Sequence, residues 1–214
     1  MRRASPAAAF HPASAVAAFH RANTLTYLSL LAGVMAIATS LENRSAVSGA
    51  LIALAVIADT FDGRFARMFV RSPAEREIGV QLDSLSDAIA FGIAPCVCLA
   101  SLGPSESFAP AIAWWITTFV FAACAITRLA FYNVTHDAAP GFIGLPVPVA
   151  ALVASSVLLL PPSAGVAASA LLLTAAAMVM PLPIPRPTGY GLAAFILWPT
   201  VLMVLHVARV TFRP

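Results

Sequence analysis

Across 214 residues, hydrophobic side chains make up 60% and charged ones only 10%, with a mean hydropathy of +0.90. Soluble domains carry about a quarter charged residues, so the composition argues against a soluble fold, and the formal charge of +3 gives no support for nucleic-acid binding. Cys96, Cys98 and Cys124 sit in apolar segments without histidine at ligand spacing and read as small buried hydrophobes, not as a zinc site or a disulfide framework.

From the N-terminus, residues 1–22 form an Ala-rich tail in which 15–21 reads either as a short amphipathic helix lying at the membrane interface or as an unstructured stretch. No long apolar run precedes Leu25, so a cleaved signal peptide is not expected. Apolar runs then predict helices over 24–41, 46–69, 79–102, 108–132, 143–160, 164–180 and 190–210, most of them near the roughly 20 residues that cross about 30 Å of hydrocarbon. Breakers separate them: Glu42-Asn43-Arg44, Gly103-Pro104-Ser105, Pro140-Gly141, Pro161-Pro162-Ser163 and the proline-dense stretch 181–187. The expected fold is all-α, a polytopic transmembrane bundle with a six-helix core over 23–189 and a further segment over 190–214.

With the N-terminus inside, Arg2, Arg3, Arg21, Arg64, Arg67, Arg71, Arg76, Arg128 and Arg186 fall on or near the cytoplasmic side, nine of twelve, as the positive-inside rule favours. Arg44, Arg209 and Arg213 fall outside. The last two count against a full seventh span, and a final segment lying partly in the interface would relieve that tension.

Four of the nine acidic residues, Asp59, Asp62, Asp83 and Asp87, lie at or near the ends of two successive spans. A charge near hydrocarbon costs about 2.5–3.5 kcal/mol on insertion scales, so such residues are paired or functional. Helical geometry places Asp59 with Asp62, and Asp83 with Asp87, on one face each. Four facing carboxylates repel unless divalent cations neutralise them, and all-oxygen ligation suits Mg²⁺, Mn²⁺ or Ca²⁺. Gly63 and Ala66 continue the Asp59 stripe with little bulk, Arg67 offers a bidentate guanidinium, and Gly79 precedes Asp83 by one turn, so a phosphate could approach the backbone. Small residues also mediate helix packing, and Arg64, Arg71 and Arg76 read equally as anchors of a cytoplasmic loop.

The string Asp59-Thr-Phe-Asp62-Gly63-Arg-Phe-Ala66-Arg67, followed by Gly79-Val-Gln-Leu-Asp83-Ser-Leu-Ser-Asp87, resembles the signature of the CDP-alcohol phosphotransferase family. Asp83 to Asp87 running into Phe91-Gly92-Ile-Ala94-Pro95 is similar to its phosphatidylserine synthase branch, as are Arg128-Leu-Ala-Phe-Tyr132-Asn133 and Gly144-Leu145-Pro146-Val-Pro148. The early Asn23-Thr24-Leu25-Thr26 resembles the family's opening motif. Two departures are visible: a longer spacer between Arg67 and Gly79, and Phe131-Tyr132 where the branch usually has Arg-Phe.

The resemblance implies transfer of the phosphatidyl group from CDP-diacylglycerol to the hydroxyl of L-serine, releasing CMP, by a homodimeric, multi-pass enzyme of the inner membrane with a cytoplasmic-side site. It implies that Asp59, Asp62, Asp83 and Asp87 hold two Mg²⁺ or Mn²⁺ ions and that Asp87 is also the general base. CDP-diacylglycerol contacts are expected from Gly63, Ala66, Arg67 and Gly79, and from Asn23 and Thr26, which could alternatively cap the first span. Arg128 is the expected partner of the serine carboxylate, with Asn133 beside it, although a helix-end arginine can also snorkel to the interface. Other acceptors within the family are glycerol 3-phosphate, an inositol phosphate or choline. The remaining rival, an ion-coupled transporter, does not account for Gly63, Ala66 and Arg67 among the carboxylates.

Overall fold

The computed structural model describes residues 19–104, 108–135, 142–160, 162–184 and 189–212. Most of the expected interfacial stretch 15–21 lies outside them, as do Arg2, Arg3, Arg186 and Arg213. A 3-10 turn, Arg21–Asn23, leads into α1 (Thr24–Leu41), and a second, Ala100–Leu102, closes the third span. There follow α2 (Ser45–Ala66), α3 (Pro73–Asp87), a π-helical segment (Ala88–Ile93), α4 (Ala94–Leu99), α5 (Phe108–Thr135), α6 (Val147–Leu159), α7 (Ala164–Val179) and α8 (Tyr190–Thr211). Two short strands, β1 (Phe142–Ile143) and β2 (Pro183–Ile184), pair antiparallel with Phe142 opposite Ile184.

Among the described residues, five helical stretches are long and apolar enough to cross a membrane: Arg21–Leu41, Ser45–Ala66, Pro73–Leu99, Phe108–Thr135 and Tyr190–Thr211. The expected span over 143–160 is shorter than its apolar run suggests, whereas the helix over 164–180 matches its expected run to within one residue. Their helices, α6 and α7, have 13 and 16 residues, about 20 and 24 Å at 1.5 Å per residue. Prolines explain the late start of α6: Pro146 is its extended N-cap residue, and Pro148 occupies the first turn, where a missing N–H is harmless.

Small side chains let the helices approach closely. Ala32, Gly33 and Ala36 are buried on one face of α1, and a Cβ on Gly33 would sit 2.7 Å from the Ala90 Cα of the π segment. Without lipid-excluding hydrophobic drive inside a bilayer, such backbone contact supplies the packing. Ile52, Phe91, Leu99, Phe121, Leu152 and Leu158 fill the centre.

The third span begins earlier than the apolar pattern indicates. Ser72 accepts from the Glu75 amide at 3.3 Å, and Glu75 accepts from the Ser72 amide at 2.7 Å, a capping box with Pro73 at the first helical position. Helix α3 therefore carries Gly79, Asp83 and Asp87 on one continuous rod with α4, and Asp87 is its last residue before the π segment.

At the opposite end of the bundle, Arg209 of α8 donates from Nη1 to the carbonyls of Leu158 and Leu159 at 3.3 and 2.6 Å, satisfying the open C-terminus of α6. The Arg209 charge is thereby committed to helix carbonyls. Helix α8 itself, 22 residues long, reaches about 33 Å, and it packs along α2 and α6.

Candidate active site

Asp59 stands on α2, and Asp83 and Asp87 on α3, four residues apart and so on one face. Each offers a carboxylate oxygen such that all three oxygens lie within 4.8 Å of one another. Asp62, one turn after Asp59, interacts electrostatically with Asp59 and Asp83. It also accepts a hydrogen bond from the Thr26 hydroxyl of α1 at 3.1 Å. The structure thus places all four expected carboxylates at one end of the α2–α3 pair, with three in the tightest group. Hard oxygen donors gathered in an otherwise apolar bundle, with no salt bridge to them among the described residues and Arg128 acting on Asp87 only electrostatically, fit a divalent metal ion.

On the α1 side, Asn23 is buried, 3% exposed. Its side chain makes no capping bond to α1, and Nδ2 has no partner among the described residues. A Cβ added to Gly79 would lie 3.2 Å from Asn23 Oδ1 and 3.0 Å from Arg71 Nη1, so the three residues converge. Thr26 caps nothing either: its hydroxyl is spent on Asp62, while its carbonyl accepts from Ser86 Oγ at 3.1 Å. Gly63 is exposed, and the only atom near its missing Cβ is Arg67 Nη1, at 3.7 Å. Ala66 closes α2 and Arg67 is its exposed C-cap residue. Arg71, read from sequence as a loop anchor, is the addition here; the longer Arg67–Gly79 spacer gave no means of aligning it.

On the other side of the carboxylates a cavity of about 650 Å³ opens, lined by Asp59, Asp83 and Asp87 at one end. Arg128 and Asn133 of α5 both line it. Arg128 is 6% exposed, with its guanidinium carbon 5.1 Å from the Tyr132 ring centre and 5.7 Å from that of Phe142. The two rings hold the cation by its face, while Nε and Nη2 have no hydrogen-bond partner among the described residues. An arginine snorkelling to the interface would be exposed; this one is buried against the cavity. Asn133 donates from Nδ2 to Ser84 Oγ at 2.7 Å, tying α5 to the turn between Asp83 and Asp87.

None of Asn23, Thr26, Gly63, Ala66, Arg67 and Gly79 lines that cavity. Asn23, Thr26 and Gly79 thus gather on the α1 side and Arg128 and Asn133 on the α5 side, while Gly63 and Arg67 are exposed at the end of α2. Residues that the sequence did not single out complete the second group: Ser84, Phe142, and Leu192, Phe195 and Trp198 of α8. Ser84 was visible between two site aspartates. The α8 residues carried no local signal, because an apolar side chain facing a site looks the same in sequence as one facing lipid.

The family model described as CDP-alcohol phosphatidyltransferase matches residues 19–184. The chain belongs to the CDP-alcohol phosphatidyltransferase family. Among its curated relatives, the CDP-diacylglycerol--serine O-phosphatidyltransferase of Mycobacterium tuberculosis is 35% identical over 140 residues, 61% of this chain and 46% of the relative. That of Methanocaldococcus jannaschii is 34% identical over 128 residues, 60% of this chain and 55% of the relative. The archaetidylserine synthase of Methanothermobacter thermautotrophicus is 33% identical over 135 residues, 63% and 56% of the two chains. The chain thus spans about half the length of these relatives. Within the family match fall all the carboxylates and both faces of the site up to β2; α8 lies beyond it.

Proposed function

We propose that this protein transfers the phosphatidyl group of CDP-diacylglycerol to the hydroxyl of L-serine, giving phosphatidylserine and CMP, with its site at the cytoplasmic side of the inner membrane. The observation that carries this reading is the meeting of Asp59, Asp83 and Asp87 in one cavity with a buried Arg128 whose Nε and Nη2 have no hydrogen-bond partner among the described residues. Membership of the family and the names of the relatives support it. Two Mg²⁺ or Mn²⁺ ions held by Asp59, Asp62, Asp83 and Asp87 would supply neutralisation of the diphosphate and of the charge developing on the departing CMP.

The protein's own groups do the rest. The nucleotide end of the donor lies toward α1, where Asn23 Nδ2 is an unspent donor and Gly63, Ala66 and Gly79 leave the backbone open, with Arg67 over Gly63 available to a phosphate. Thr26 holds Asp62 in place. Serine enters from the cavity side with its carboxylate on Arg128, whose ring contacts leave its donor edge free, and with Asn133 beside it. The serine oxygen bonds to the lipid-side phosphorus as the bond from that phosphorus to the CMP oxygen breaks. Asp87, the most enclosed of the carboxylates lining the cavity, takes the hydroxyl proton.

Among the described residues, Arg128 is the only arginine lining the cavity. One buried cation suits a single carboxylate better than a phosphorylated alcohol, which would call for several. Homodimerisation belongs to the same reading. The test is incorporation of radiolabelled serine into lipid by detergent-purified protein with CDP-diacylglycerol and Mn²⁺ or Mg²⁺, alongside Asp87→Asn. Serine-dependent CMP release lost in the variant is the expected result. Turnover with another alcohol but not serine would overturn the acceptor, and inactivity with every alcohol would overturn the reading.

A further inference from the structure

The cavity is much larger than the acceptor needs. About 650 Å³ falls within the range of roughly 300–1,000 Å³ that holds drug-sized ligands, whereas serine has seven heavy atoms. Its lining is also divided. Arg128, Asn133 and Ser84 are gathered on the α3 and α5 side, and the α8 wall opposite presents Leu192, Phe195 and Trp198, which offer no charge to a zwitterion. In an in-line displacement the attacking serine oxygen and the leaving CMP oxygen lie on opposite sides of the phosphorus, and the glycerol oxygen lies with the two unesterified oxygens in the plane between them. With CMP leaving toward α1 and serine arriving along Arg128, the glycerol of the lipid donor lies off that line, and the α8 wall is an apolar part of the cavity open to receive it.

We infer that Phe195 and Trp198 of α8 are specificity-determining residues that receive the glycerol and first acyl carbons of the lipid donor, an inference that rests on the donor assignment proposed above. Helix α8 lies outside the segment that matches the family as a whole, so this wall is free to differ where the common chemistry is not. Trp198 is 38% exposed while lining the cavity. The outer face of the same helix, with Leu197 and Val201, is also open. With Trp198 both in the cavity wall and partly exposed, acyl chains held there would continue along the open face of α8 into the bilayer.

The test compares binding of dioleoyl CDP-diacylglycerol and of CDP alone, by competition in detergent, to wild-type protein, Trp198→Ala, Phe195→Ala and the conservative Trp198→Phe. Expected is a roughly tenfold weaker Kd for the lipid donor in each alanine variant, with CDP affinity and the KM for serine unchanged, and recovery to within about threefold in Trp198→Phe. Unchanged donor affinity, or a raised serine KM with donor affinity intact, would overturn the inference by giving the wall to structure or to the acceptor. If an alanine variant does not fold, Phe195→Leu and Trp198→Phe provide the same comparison at smaller amplitude. Wild-type protein that binds the donor yet transfers nothing to serine would sink the acceptor reading and leave this one standing; failure to bind the donor at all would sink both.

Discussion

The His206 imidazole of α8 lies directly against Gly49 of α2, so closely that a Cβ at position 49 would overlap the ring. The ring is fully buried, and its Nε2 is 3.2 Å from Ser155 Oγ and 3.1 Å from the Ser155 carbonyl of α6. Because Ser155 Oγ donates to the Gly49 carbonyl at 3.0 Å, Nε2 must carry the proton. One residue thus joins three helices, and Gly49 is the position that allows it.

Gly49→Ala should therefore destabilise the fold. Alanine gains about 1 kcal/mol in helix propensity, but a clash with a ring that cannot leave a packed interface costs about 1–3 kcal/mol or more. Thermal unfolding in detergent should show a lowered midpoint. An unchanged or raised midpoint would mean that α8 shifts freely on α2.

Chelation by EDTA should abolish serine transfer, with recovery on adding Mn²⁺ or Mg²⁺. Asp59→Asn and Asp83→Asn should each lower activity by more than the roughly 10–100-fold typical of residues that merely support a metal ligand, since these would supply the ligating oxygen. Activity retained in either variant at saturating metal would remove that carboxylate from the set.

Thr26→Val removes a neutral donor from a charged acceptor, a contact of about 1.5–3 kcal/mol. Transfer should fall roughly tenfold or more in kcat/KM, and Thr26→Ser should restore it. If valine is tolerated, Asp62 does not depend on the 3.1 Å hydrogen bond from α1.

Arg128→Lys keeps the charge but loses the planar fork and its ring contacts. The serine KM should rise at least about tenfold, on the same scale for a charge-assisted hydrogen bond, while the donor KM stays put. An equal rise in both would instead make Arg128 a structural support of α5.

Ser72→Ala removes the capping box of α3 and should lower stability by about 1 kcal/mol without changing either KM. The measurement separates helix stability from chemistry on the rod that carries Asp83 and Asp87.

The sequence made the carboxylates legible because ionised groups at membrane depth are rare and costly, so Asp59, Asp62, Asp83 and Asp87 stand out by position alone. Helix α1 was equally plain, its apolar run ending where its helix ends, at Leu41. The start of α3 was written in Ser72-Pro-Ala-Glu75, but the polar first turn hid it from a reading that followed hydrophobicity. The β1–β2 pair left no trace, because two residues per strand are too few for an alternation to register. The shortness of α6 was masked by apolar residues that continue beyond its helical turns, and the α8 wall by the equivalence of site-facing and lipid-facing side chains.

Between Asp87 and Ala94 the rod widens into a π segment, and the Ala94 amide reaches back five residues to the Ile89 carbonyl. A helix advances about 100° per residue, so this extra residue sets which way everything after it points relative to Asp83 and Asp87. Beyond the segment, Cys98 donates to the Ala36 carbonyl of α1 at 3.4 Å, a contact that depends on that angular offset. Losing one residue anywhere in Ala88–Ile93 would keep a helix and keep its hydrophobicity, yet turn the two halves of the rod out of phase. Length, more than the identity of any side chain, is what this stretch must inherit unchanged.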